Sequence, residues 1–220
     1  MFIGHFAVGL AAKKIAPKAS LGTLFLSAQF IDLLWPIFLL IGLEHVRIDP
    51  GNTAFTPLDF YDYPISHSLL TVMGWAIGFG LVYLLISRYP KSAWVLALGV
   101  ISHWLLDLVT HRPDLPLAPG SKTFVGLGLW NFYAASVLVE LTLFVAGVIF
   151  YLRSTIAINR IGRYALWSLL AFLLIIWLTN MVSPPPPNEQ AIAYASLLLW
   201  LVVPWAYWID RHRRVAEKPE

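Results

Sequence analysis

The chain has no cysteine among its 220 residues. Disulfide cross-links, thiolate nucleophiles and cysteine-built zinc sites are excluded, and the redox character of its compartment leaves no mark. A bound metal ion has to rely on His, Asp, Glu or water. Charge is nearly as scarce: Asp, Glu, Lys and Arg make up 12% of the residues, against about 25% in a soluble domain. The formal net charge is only +3, and no nucleic-acid partner is expected of that balance. What fills the chain is apolar, with 59% hydrophobic residues and a mean hydropathy of +0.72. That composition belongs to a protein whose solvent is the lipid bilayer.

Several apolar runs reach the roughly 20 residues needed to cross the hydrocarbon core. They predict an all-α polytopic membrane protein with about six transmembrane helices: Leu21–Leu43, Ile65–Ser87, Ser92–His111, Asn131–Leu152, Ile161–Val182 and Gln190–Ile209. Residues 2–16 form a further apolar helix, too short to span, ending at Lys13, Lys14 and Pro17; it lies at the interface or re-enters the protein. Its basic residues follow the apolar run, the reverse of a secretory signal. One integral membrane domain over residues 1–220 is expected, with the last two helices and a basic cytoplasmic tail (156–220) added to a core of residues 1–155. The final two spans are almost purely apolar, and no internal repeat is visible.

Placing both termini on the cytoplasmic side of the cell (inner) membrane puts all of the 15 Lys and Arg residues there except Arg47, Arg112 and Lys122. The positive-inside rule favours that orientation. Trp130, Tyr133, Trp205 and Trp208 lie near span ends and read as an interfacial belt. Asp59 and Asp62, in the acidic and aromatic loop 44–64, read as solvated loop charge. Gly126 and Gly128 mark a flexible loop, and His45 and His212 are expected in solvent.

Against this apolar background the ionisable residues are conspicuous, because burying them in a membrane is costly. At about 100° per residue, His103, Asp107 and His111 fall within about 80° of one another on a single helix face. Imidazole and carboxylate one turn apart can approach a divalent ion from the same side. Counting about 1.5 Å per residue from the inner basic residues puts Asp32, His103 and Glu140 roughly 18–21 Å deep. His5 reaches the same level if the short helix re-enters. The same count for His67 gives roughly 31 Å, level with His111 rather than His103, unless span two bends or tilts. Such groups are most stable converging on one another or on an ion.

His5, Asp32, the Ser66-His67-Ser68 turn and Ser102-His103-x-x-x-Asp107 together resemble the pattern of the membrane-bound metal-dependent hydrolase family (YdjM-like). Pro57-Leu58-Asp59-Phe60, Tyr63-Pro64-x-Ser66-His67-Ser68 and Thr110-His111-Arg112-Pro113-Asp114 resemble one branch of it. The match covers residues 1 to about 155. The family is distantly similar to zinc-dependent phospholipase C and P1-type nucleases. Carried over, the resemblance implies a hydrolase core in which His5, Asp32, His67, His103 and Asp107 ligate one or two ions. His111 is a further candidate ligand. Zinc suits mixed His and carboxylate ligation, and manganese or iron also fits. The metal would activate a water toward a phosphoester or lipid-like substrate, with Asp107 and Glu140 in catalytic roles and Arg112 gripping a phosphate oxygen.

Each of these residues has a structural alternative. His103 and Asp107 form a hydrogen-bonded pair, Asp32 is a neutral packing carboxyl or proton relay, and Ser66 caps a helix. Glu140 makes a structural hydrogen bond, and Arg112 pairs with Asp114 at the membrane edge. Two other functions fit the same residues: a proton- or cation-coupled transporter with a midplane Asp, His and Glu relay, and a non-catalytic scaffold.

Overall fold

The computed structural model describes residues 1–216, so Lys218 of the expected basic tail lies outside the described residues. The short helix α1 (Ile3–Ala12) is followed by α2 (Leu21–Ala28) and α3 (Phe30–Leu40). A hairpin, β1 (His45–Ile48) and β2 (Leu58–Asp62), leads to the single turn α4 (Pro64–His67) and the long helices α5 (Leu69–Ser87) and α6 (Pro90–Thr110). A second short ladder, β3 (Leu115–Pro116) with β4 (Phe124–Val125), precedes α7 (Tyr133–Ser154). Strand β5 (Thr155–Ala157), helices α8 (Arg160–Val182), α9 (Glu189–Leu197) and α10 (Leu199–Arg211), and strand β6 (Arg213–Val215) follow among the described residues.

Among the described residues, five helical stretches, with α9 and α10 taken together, are long and apolar enough to cross a membrane. Helices α2 and α3 make a sixth only if they are counted as one span, because they meet at a 57° bend. The outer faces agree with lipid as solvent: Leu85, Ile86 and Val182 are 78%, 80% and 83% exposed. In water so much bare aliphatic surface would drive association. The basic residues collect at one end. There Lys13 pairs with Asp210, Lys18 sits over Tyr89, and β5 pairs with β6. Arg47 and Arg112 are joined through Asp59, which links the β1–β2 hairpin to the connection after α6.

Local chemistry sets the breaks. Ser20 caps α2 by accepting from the Thr23 N–H, and Ser68, rather than Ser66, caps α5 through Thr71. Both satisfy an amide that a helix start leaves without a partner. Arg88 ends α5 in the left-handed region, at φ 59°, and Pro90 opens α6 where no amide hydrogen is required. The span expected at Gln190–Ile209 is interrupted at Leu198, between α9 and α10.

The expected short helix lies inside the molecule, with Ile3, His5, Phe6 and Leu10 buried. Helices α1, α2, α7, α8 and α10 share one apolar core around Phe6, Phe25, Tyr151 and Leu169. A second core, around Ile31, Trp35, Val72, Val100 and Trp104, joins α3, α5 and α6. Gly147 permits the close seat of α1 on α7, since a Cβ there would stand 2.5 Å from the Ala7 carbonyl oxygen. Gly147→Val is therefore expected to force the two helices apart and cost about 1–3 kcal/mol, the usual range for overpacking. A thermal melt in detergent checks this: an unchanged midpoint would show that the two backbones are not in tight contact.

Candidate metal centre

Four elements deliver one cluster: buried His5 from α1, half-buried Asp32 from the first turn of α3, buried His67 from α4, and buried His103 and Asp107 from α6. At the bend between α2 and α3 the Ala28 carbonyl accepts a hydrogen bond from His103 Nδ1 at 2.7 Å. A carbonyl only accepts, so Nδ1 carries the hydrogen. In the neutral ring Nε2 then presents a lone pair to two carboxylates, 3.2 Å from Asp107 Oδ2 and 3.4 Å from Asp32 Oδ2. It forms no hydrogen bond among the described residues. Three electron-rich groups facing one another require a cation between them, either a proton or a metal ion.

The separations suit a metal. Two ligands about 2.0–2.1 Å from zinc in tetrahedral geometry stand about 3.4 Å apart. His67 Nε2 is 3.4 Å from Asp32 Oδ1, and His5 Nε2 is 3.1 Å from Asp107 Oδ1. Among the described residues, two groups have all their ligand atoms within 4.8 Å of one another: His5, His103 and Asp107, and Asp32, His67 and His103. Both use His103. The His5 and His103 rings stack at 3.5 Å with 6° between their planes, which disfavours charging both as imidazolium. The Met1 amino group also reaches Asp107 Oδ1, at 2.8 Å.

His67 joins this cluster although a straight count along span two left it too far out. The reason is the extended backbone of Ser68, at φ −73° and ψ 145°, which separates α4 from the axis of α5. His111 stays at the edge. It follows the last residue of α6, its Nδ1 pairs with Asp114 at 2.9 Å, and its Nε2 is 4.0 Å from Asp107. Tyr63 donates its hydroxyl to Asp114 at 3.0 Å. Burial and the nearby Asp114 carboxylate push the Tyr63 pKa well above its ordinary value, so the phenol keeps its proton.

Glu140 has a mainly structural set of contacts. One oxygen accepts from the Phe2 and Ile3 amides at 3.0 Å each, fixing the start of α1, a favourable place for negative charge. The other, Oε1, is buried without a hydrogen-bond partner among the described residues. Arg112 pairs with both Asp59 and Asp114. Asp59 is 2% exposed and held by Arg47 and Arg112, which corrects the reading of that residue as solvated loop charge. His45 and Asp62 remain partly exposed and pair with each other.

A cavity of about 560 Å³ opens from the cluster, with Asp32, His67, Asp107, His111 and Glu140 along its polar side. Trp35, Phe60 and Trp130 wall one flank, and α8, α9 and α10 supply much of the rest through residues such as Leu173, Trp177 and Leu199. The last two spans, featureless as sequence, thus shape the site. Trp130 is only 8% exposed and its ring centroid is 4.3 Å from that of His111, so it is a wall of the site and not part of an interfacial belt. The glycine loop behind it is packed too. Leu127 and Gly128 donate to the Leu108 and His111 carbonyls at 2.7 Å each, satisfying acceptors at the end of α6. A Cβ on Gly126 would stand 2.1 Å from the Arg112 carbonyl oxygen.

Sequence reasoning missed Glu44. It is fully buried and accepts from the Ile65 amide, the Ser66 amide and the Ser66 hydroxyl. Its only sequence signal is an acid ending an apolar run shortly before the Pro-x-Ser-His turn. No protein-family model, curated protein or solved structure matches this chain.

Proposed function

We propose that the protein is a membrane-embedded metal-dependent hydrolase acting on a lipid-like substrate. The observation that carries this reading is the Nε2 atom of His103, which faces Asp32 and Asp107 beside a largely apolar cavity. His5, Asp32, His67, His103 and Asp107 are the residues that would hold one or two ions, with zinc the expected metal. A divalent ion bound there supplies Lewis acidity, polarising an ester or phosphoryl oxygen and lowering the pKa of water toward about 7.

The chain's own groups divide the remaining work. Glu140 Oε1, buried and without a hydrogen-bond partner among the described residues, is assigned the role of holding a proton. Asp32, with a side chain 26% exposed, is the cluster's most open carboxylate and marks where substrate meets the centre. Trp35, Phe60 and Leu173 exclude water and receive apolar groups. Arg112 is committed to Asp59 and Asp114, and no Lys or Arg lines the cavity among the described residues. The apolar part of the substrate is therefore better supported than a phosphate grip. The centre opens toward the outer face, away from the basic cytoplasmic end.

Purified protein in detergent tests this. Elemental analysis is expected to find one or two equivalents of a divalent metal, and a panel of ester and phosphodiester lipids in mixed micelles is expected to contain at least one hydrolysed in a chelator-sensitive manner. A metal-free preparation that restores no hydrolysis with zinc, manganese or iron, yet carries a proton- or cation-driven flux in vesicles, would replace the enzyme with a transporter.

A further inference from the structure

The polar chain behind His67 has a direction. Glu44 Oε1 takes the amide hydrogens of Ile65 and Ser66, at 2.7 Å each, and Oε2 takes the Ser66 hydroxyl at 2.6 Å. A carboxylate can only accept, so the single hydroxyl hydrogen of Ser66 is spent on it. The hydroxyl oxygen then offers a lone pair to His67 Nδ1, 2.6 Å away. Nδ1 must carry the ring hydrogen, and Nε2 is left with a lone pair 3.4 Å from Asp32 Oδ1 and 3.9 Å from Asp107 Oδ2. All three residues are buried, at 0% exposure for Glu44 and Ser66 and 4% for His67. Ser66 does not line the cavity, so a nucleophilic role for it finds no support.

We propose that Glu44, acting through the Ser66 hydroxyl, fixes the tautomer and orientation of His67 so that Nε2 faces the metal centre. Glu44 and Ser66 are thus positioning residues. Metal-ligating histidines generally donate their second nitrogen to such a partner, and its loss lowers metal affinity about 10–100-fold. Here the partner comes from the segment entering β1, so the outer hairpin and the ligand are linked by hydrogen bonds. The affinity part of this proposal rests on the metal-centre reading; the tautomer part does not.

Glu44→Gln is the discriminating variant because it keeps the shape and reverses the polarity. The glutamine Oε1 still accepts the two amides, but its NH2 group now donates to Ser66 Oγ. The hydroxyl hydrogen is redirected to His67 Nδ1, and the ring hydrogen moves to Nε2. Histidine-labelled, metal-free protein in micelles is read by nitrogen-15 NMR, and zinc affinity by equilibrium dialysis. The wild type is expected to show Nδ1–H at His67. Glu44→Gln is expected to show Nε2–H and zinc binding weakened about 10–100-fold, with a melting curve close to wild type. The same tautomer in both proteins overturns the proposal. If the wild type binds no zinc, the tautomer comparison still decides it, and only the metal reading fails. Should Glu44→Gln not fold, Ser66→Ala carries the test: loss of the Nδ1–H preference supports the relay, and its retention overturns it.

Discussion

Replacing His103 with alanine is expected to remove metal binding from both halves of the centre at once. The two candidate ligand groups share this residue alone, so neither keeps three ligands without it. Removing only a supporting residue lowers affinity about 10–100-fold, and loss of a shared ligand should exceed about 100-fold. The structural cost is smaller. The Ala28 carbonyl loses its partner at the bend between α2 and α3, a change of about 1 kcal/mol. Two measurements separate these effects. Zinc at 100 times its dissociation constant stabilises a one-site protein by about 2.7 kcal/mol, so the wild-type melt should rise with zinc while that of His103→Ala stays level. Lipid hydrolysis should fall to background in the same variant. A variant that keeps both the zinc-dependent rise and the activity would remove His103 from the centre.

His103 was legible for a simple reason: a polar residue on an apolar helix stands out, and a four-residue spacing to Asp107 survives folding unchanged. Asp32 and His5 drew notice as ionisable residues in apolar stretches, and the fold brings both to His103 and Asp107 although a 57° bend precedes Asp32 and the chain between α1 and α2 is not helical. Counting rise per residue fails where the backbone leaves the helix. The extended Ser68 broke the count for His67, and His111 left the face of Asp107 because α6 ends at Thr110. Glu44 and Asp59 were unreadable for another reason. Their partners, Ser66, Arg47 and Arg112, are set by the β1–β2 register and by loop closure, and an acid in a loop looks solvated until those contacts are known. Gly126 reads as slack in a sequence; only the Arg112 carbonyl pressed against it reveals a packed turn. The walls contributed by α8, α9 and α10 have no periodic signature at all, since a helix surrounded by lipid on one side and an apolar cavity on the other is hydrophobic all round.

Those walls carry the second large effect. Ala195 lies on α9 and lines the cavity while remaining exposed, so a larger side chain there fills open space without displacing the core. Ala195→Trp is expected to cut hydrolysis of long-chain lipids at least tenfold, equivalent to about 1.4 kcal/mol of lost transition-state stabilisation. Metal content should not change, because α9 contributes none of the five clustered residues. Hydrolysis of a short, water-soluble ester or phosphodiester should also survive, since such a substrate needs the polar side of the cavity and not the wall built by α8 and α9. The contrast between the two substrates carries the inference. A uniform loss accompanied by loss of metal would mean that the tryptophan has disturbed the cluster itself. Unchanged rates on both substrates would mean that the long chain lies elsewhere, and the lipid assignment would fall while the metal centre stood.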